Sequence, residues 1–184
     1  MIIRPIEHCF WVVPGRLLAG EYPCAIEDES SEEKINKLRH QGINRYIDLT
    51  HPHDQLEPYE HLLRDGEARL SFPIVDVSVP KTPQVTRAIL NAIDNQLALG
   101  SRIYLHCWGG VGRTGTIIGC WLARHGADGE DAFRTLQELW QWNPKSKYRR
   151  CPDTAQQKQY ILDWRESELK DKETQWPFDW ACRR

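Results

Sequence analysis

The sequence predicts an α/β fold, a mainly parallel, twisted central sheet flanked by helices. Three observations predict it. Short apolar runs alternate with amphipathic stretches of ten or more residues, the order that lays helices over parallel strands. Glycines and prolines punctuate nearly every boundary. One apolar run, "SRIYLHC", passes through a glycine-rich turn directly into a further helical stretch, so a loop of unusual composition lies between a buried strand and a helix N-terminus.

The elements follow in order. "WVVPGRLLAGEYP" is a short strand, a Pro-Gly turn and a second short strand. "SSEEKINKLRHQG" opens on a serine cap with early acids and closes at Gly42, a helix with both terminal signals. "INRYIDLT" is a strand rich in β-branched and aromatic residues. Residues 51–69 are polar and predict a loop with a short helix around Tyr59 to Leu63. "LSFPIVDVSVP" is a strand running into a proline-bounded loop. "TPQVTRAILNAIDNQLALG" opens with Thr-Pro and places Val85, Ile89, Ala92, Ile93 and Leu97 at helical spacing. After the buried strand "SRIYLHC" come the helices "TGTIIGCWLARHG", "DGEDAFRTLQELWQW" and "CPDTAQQKQYILDWRESEL".

A chain of 184 residues is one domain with a sizeable core. The predicted domain spans residues 1–170. Residues 171–184 form an aromatic-rich tail with Trp176, Phe178 and Trp180, which either docks on the body or serves a partner. Hydrophobic residues make up 40% and charged residues 27%, an ordinary globular composition. The net charge of −2 gives no general support for nucleic-acid binding. No apolar run approaches the ~20 residues that span a bilayer. The N-terminus "MIIRPIEHCFWVV" does not read as a secretory signal, and neither a myristoylation nor a prenylation site is present, so no membrane anchor is expected. Six cysteines without a C-x-x-C pair predict reduced thiols in a cytoplasmic protein, and no cysteine metal site.

The glycine-rich turn reads H-C-x-x-G-x-G-R-T-G, from His106 to Gly115. A bare cysteine-x5-arginine match carries little weight; its place between strand and helix carries more. Gly109, Gly110 and Gly112 open backbone angles closed to other residues. Such a turn, with Trp108 and Val111, points successive N–H groups inward as an anion nest, and the following helix adds its positive end. Arg113 adds a fork for two phosphate oxygens. The field that holds a dianion also favours thiolate over thiol at Cys107, which places a nucleophile at the cradle floor. Adjacent strand residues face opposite ways, so His106 is expected behind the loop, holding its shape, rather than as a base for Cys107. Thr114 at the helix start is either a cap or the donor to the sulfur when it leaves.

On these residues the chain resembles the cysteine-based protein tyrosine phosphatase superfamily, whose loop is H-C-x5-R-[S/T], and most of all its small atypical dual-specificity members. "FWVVPGRLLAG" and "INRYIDLT" are similar to their N-terminal segment and second strand. The resemblance implies an α/β phosphatase fold and a two-step hydrolysis through a phosphocysteine, with no metal and no cofactor.

That chemistry needs an acid to protonate the leaving oxygen. Asp76, following a strand in a proline-bounded segment, fits, and the resemblance places the family's acid in a similar strand-end loop; Asp48 is the weaker competitor. "CPDTAQQKQY" resembles the segment whose glutamine places the second-step water, which assigns Gln157, with Gln156 and Gln159 nearby and a solvated helix face as the alternative. The variable loop residues carry no charge, which favours a phosphorylated protein or a small aryl phosphomonoester over an inositol phosphate, phospholipid, nucleotide or RNA end. Trp108 either lines the rim or packs under a neighbouring loop. Lys145, Lys147, Arg149 and Arg150 form a solvated basic turn, with a docking patch for an acidic substrate as the alternative. An idle phosphate-binding module is the reading from another class.

Overall fold

The computed structural model describes residues 4–24 and 30–166; the predicted tail and Cys182 lie outside them. A hairpin of β1 (Cys9–Val13) and β2 (Leu17–Gly20) opens the chain. Helix α1 (Ser31–His40) follows on the predicted serine cap: Ser30 and Glu33 cap each other's backbone N–H groups reciprocally. Strands β3 (Arg45–Asp48) and β4 (Ala68–Ser71) come next, then α2 (Pro83–Ala98), capped by Thr82 with Pro83 in the first turn. Strand β5 (Ile103–His106) leads into α3 (Gly112–Arg124), α4 (Gly129–Trp140) and α5 (Ala155–Asp163).

The five strands form one sheet in the order β1-β2-β5-β3-β4, antiparallel only within the hairpin. The mixed α/β fold is the predicted one. Alternation along the strands divides the core. Phe10, Leu17, Ala19, Ile47, Ile103 and Leu105 face α2 to α5; Leu18, Tyr46 and Tyr104 face Ile35 and Leu38 of α1. All four residues of β5 are buried, as a central strand covered on both faces requires. None of the described helices is long and apolar enough to cross a membrane.

Three boundaries differ from expectation. β4 starts at Ala68 and stops at Ser71, because Pro73 has no N–H for the ladder. The polar stretch 51–69 holds two 3-10 turns, Pro52–Asp54 and Glu60–Leu62, instead of one short helix. Helix α3 begins at Gly112, so the glycine turn flows into it without a break.

Parallel register places Gly20, His106, Asp48 and Ser71 side by side at one edge. Segments leaving β2, β5, β3 and β4 therefore converge there, the place where open α/β sheets build their sites.

Far from that edge, Asp94 ties α2 to α3. It accepts from Trp121 Nε1 at 2.8 Å and Arg124 Nη1 at 2.9 Å, and lies 3.0 Å from His125 Nε2. Burial pushes its carboxyl up, but these partners outweigh burial and hold it below the ordinary carboxylate range. A lowered folded pKa gives stability that is present above the unfolded value of about 3.9 and lost as pH falls through the folded one. Asp94→Asn is expected to cost about 2 kcal/mol at pH 7 and to flatten the loss of stability as pH falls below about 4. Urea midpoints across that range check it.

Candidate active site

Strand β5 delivers Cys107, 3% exposed, to the common edge. The chain then turns through residues 108–111. Gly110 sits at φ +70 with its Cα against the Gly20–Glu21 backbone, where a β-carbon would collide. At Gly112 a β-carbon would press on the Asp153 and Gln157 side chains. The loop carbonyls are held from outside. Trp108 O accepts from Tyr22 N–H at 2.7 Å and Gly109 O from Lys145 Nζ at 3.0 Å. Val111 O accepts from Gly115 N–H at 2.9 Å and Cys151 Sγ at 3.3 Å, and Gly112 O from Thr116 Oγ1 at 2.8 Å. Among the described residues, the N–H groups of residues 108–112 donate to no backbone carbonyl. Backbone donors turned away from the fold at a helix start make an anion nest.

Arg113 lies in the first turn of α3, 1% exposed. Its Nη1 donates to Asp54 Oδ2 at 2.6 Å and to Ile74 O at 3.0 Å. Its Nη2 lies 2.9 Å from Asp76 Oδ1 in an ion pair without hydrogen-bond alignment. Nε and Nη2 are buried and make no hydrogen bond among the described residues. The guanidinium is thus anchored at one corner with a two-donor edge left open, the fork that a tetrahedral oxyanion fills. Burial lowers the Arg113 pKa, but Cys107, Asp54 and Asp76 outweigh burial and hold it above its ordinary value.

Asp76 is half exposed, in a turn closed by Ser78 N–H to Val75 O at 3.3 Å. Val77 occupies the left-handed region at φ 58, an outlying conformation for a β-branched residue. The competitor Asp48 faces the other way. It is fully buried, accepts from Thr50 N–H and Arg69 Nε at 2.7 Å each, and serves the interior.

His106 is fully buried on the α1 face. Its Nε2 meets Tyr59 Oη at 2.8 Å, and its Nδ1 lies 3.3 Å from Cys107 O. A carbonyl only accepts, which assigns the proton to Nδ1 and makes Tyr59 the donor to Nε2. Burial is the largest influence and lowers the His106 pKa, with Asp48 opposing.

Thr114 is not a cap, since Val111 occupies that position; its hydroxyl is fully buried and has no hydrogen-bond partner among the described residues. Gln157 is buried in the capping box of α5. Oε1 accepts from Thr154 N–H at 3.2 Å, and Nε2 donates to Ser78 O at 2.9 Å. That bond ties α5 to the Asp76 turn and leaves one N–H and one lone pair of the amide. Trp108 is 42% exposed, on the rim rather than under a loop.

The basic turn is not uniformly solvated. Lys145 is largely buried and paired with Glu21 Oε2 at 2.9 Å, because Asn143 caps the 3-10 turn Pro144–Lys147 and folds it back onto the loop. Lys147, Arg149 and Arg150 are exposed, Arg149 paired with Asp153 at 2.7 Å. The sequence places Lys145 in a solvated turn rather than against the loop, and gives no sign of Asp54, which sits in a polar stretch without periodicity. The usable signal for Asp54 was the need of a buried arginine for a carboxylate.

Residues 6–160 match the family described as Swiss Army Knife protein, DSP-PTPase phosphatase domain. The chain is 31% identical over 121 residues to "Putative tyrosine phosphatase 067L" of Invertebrate iridescent virus 3, covering 64% of this chain and 47% of the viral protein. It is 29% identical over 92 residues to "Phosphatidylglycerophosphate phosphatase PTPMT2" of Arabidopsis thaliana, covering 50% and 40% of the two chains. The chain thus spans less than half the length of these relatives. In fold it is similar to kinase associated phosphatase with its catalytic cysteine changed to serine, at TM-score 0.67 and 18% identity over 79% of this chain and 83% of that one. It is likewise similar to P. aeruginosa TpbA bound to phosphotyrosine, at 0.63 and 13% over 89% and 88%.

Proposed function

The chain belongs to the DSP-PTPase family of phosphatases, and on that premise we propose that it hydrolyses phosphomonoesters through a phosphocysteine on Cys107, with phosphotyrosine or dual-specificity phosphoproteins as substrates. One observation carries the reading: the buried Arg113 guanidinium keeps Nε and Nη2 without hydrogen bonds beside a loop whose Trp108, Gly109 and Val111 carbonyls are held by donors outside it. A dianion seated there meets the Cys107 sulfur from above. The thiolate attacks phosphorus, the P–O bond to the leaving group breaks, and Asp76 delivers the proton to that oxygen. Arrival of phosphate on Nη2 displaces Asp76 from its pairing with Arg113, and away from that cation the half-exposed carboxylate takes up from solvent the proton that it then delivers. Water then attacks the phosphocysteine, Asp76 takes the proton back, and Thr114 donates to the departing sulfur. Gln157, with one N–H unused beside Gly112, is positioned to hold that water.

Exposed Trp108, Val75 and Val77 give the surroundings an apolar rim, which favours an aryl phosphate over a highly charged headgroup. A second reading, a phosphorylated lipid or other non-protein ester, is favoured by the exposed Lys147, Arg149 and Arg150 on the segment that follows Lys145. A panel of phosphotyrosyl, phosphoseryl and phosphothreonyl peptides against phosphoinositides and phosphatidylglycerophosphate separates the two. Turnover of any of them excludes an idle binding module.

Asp76→Asn is expected to lower kcat by ~10²–10³-fold on a phosphotyrosyl peptide. The loss should be smaller on p-nitrophenyl phosphate, whose phenolate leaves more readily unprotonated. An equal loss on both substrates would remove Asp76 from the proton transfer.

A further inference from the structure

We propose that Lys145 is a positioning residue: its ammonium, seated on the Gly109 carbonyl, fixes the Gly109–Gly110 peptide so that the Gly110 N–H faces the bound phosphate. The inference rests on the reading of residues 107–113 as a phosphate site. A trans peptide is planar, with its C=O and N–H pointing opposite ways. Holding a loop carbonyl from outside therefore aims the next residue's N–H inward. Several peptides of the loop are held in this manner, and the donors differ in kind. His106 serves Cys107 O, the Tyr22 backbone serves Trp108 O, and Gly115 N–H with Cys151 serves Val111 O. Lys145 alone among these donors carries a full-time charge.

That charge sits where the loop is weakest. The Gly109–Gly110 peptide has glycine on both sides, so flipping it meets no β-carbon. A flip would turn a carbonyl dipole toward the anion. The Gly109 O to Lys145 Nζ bond at 3.0 Å opposes it, and an ammonium behind the amide also polarises it toward stronger donation. The lysine is itself held. Its backbone N–H donates to Asn143 Oδ1 at 3.0 Å, and its Nζ pairs with Glu21 Oε2 at 2.9 Å. Glu21 follows β2, its carbonyl accepts from Tyr104 Oη at 2.5 Å, and its other oxygen pairs with Lys34 at 3.0 Å. Lys34 shares the carboxylate but makes no hydrogen bond to the loop among the described residues, which makes it the natural control.

The test measures competitive inhibition of p-nitrophenyl phosphate hydrolysis by inorganic phosphate. Lys145→Met is expected to raise the phosphate Ki and lower kcat/KM by the same factor, roughly ten- to a hundredfold, as for a group acting on dianion and transition state alike. Lys145→Arg should restore most of the affinity, and Lys145→Gln, with a neutral donor, should fall between. Lys34→Met should leave Ki within about twofold of wild type, although it removes an ion pair from the same carboxylate. Unchanged phosphate affinity in Lys145→Met, or an equal loss in Lys34→Met, would overturn the inference while an active wild type keeps the phosphatase reading. A wild type that neither binds phosphate nor turns over an ester would overturn both. If Lys145→Met does not fold, the graded pair Lys145→Gln and Lys145→Arg decides.

Discussion

Cys107→Ser is expected to lose p-nitrophenyl phosphate hydrolysis in EDTA by at least about 10⁴-fold, while still binding inorganic phosphate. The change is nearly isosteric, so the fold and the donors of the cradle stay. What disappears is the proposed nucleophile. A serine needs a general base to become nucleophilic, and neither nearby candidate among the described residues is placed to act as one. His106, the obvious candidate from sequence proximity, points to the opposite face of the sheet and is committed to Tyr59 and the Cys107 carbonyl. In the proposed first step Asp76 serves the leaving oxygen, on the side of the phosphorus opposite the attacking atom. Activity in wild type with EDTA present, and none in the variant, would place the reaction on the sulfur. Equal activity in both would take Cys107 out of the reaction and with it the phosphocysteine.

The cradle was legible because its parts are contiguous. Five residues between a strand and a helix, with the first turn of that helix, carry their own geometry: a glycine approaching the Gly20 backbone, a helix N-terminus and an arginine in its first turn. His106 was legible for the same local reason, since strand alternation decides which way it faces. Asp54 was not, because nothing in "HPHDQ" announces a catalytic neighbour. It becomes one through register, which sets Asp48 beside His106 and so throws the turn after β3 over the loop after β5. Lys145 escaped for another reason. Four cations in eight residues read as a solvated turn by composition. The capping carboxamide of Asn143, which folds the first of them inward, looks in sequence like any other asparagine before a proline. Asp76 stood between these cases. Its strand-end position was visible, but its pairing with Arg113 depends on the turn at Val77, whose positive φ no valine would advertise.

Variants of Arg113 should separate its proposed catalytic role from its contribution to stability. Arg113→Lys keeps a positive charge but not the fork. A single ammonium is drawn to the carboxylate of Asp54, 2.6 Å from the guanidinium in the native site, and the open edge of Nε and Nη2 vanishes. The kcat/KM of Arg113→Lys is expected to fall by about 10²–10³-fold, the scale on which a preorganised oxyanion donor acts. Arg113→Met goes further. Asp54 is 5% exposed in its side chain, and without Arg113 it is a buried charge left with the His51 N–H, at 3.0 Å, but no cation among the described residues. Losing one member of a buried pair costs about 3–5 kcal/mol, so this variant should be both inactive and markedly easier to unfold in urea. Adding Asp54→Asn removes the stranded charge. The double variant Arg113→Met/Asp54→Asn is therefore expected to regain much of the stability and none of the activity. Recovery of turnover along with stability would mean that Arg113 works by holding the loop together, and that the phosphate is bound by the backbone alone.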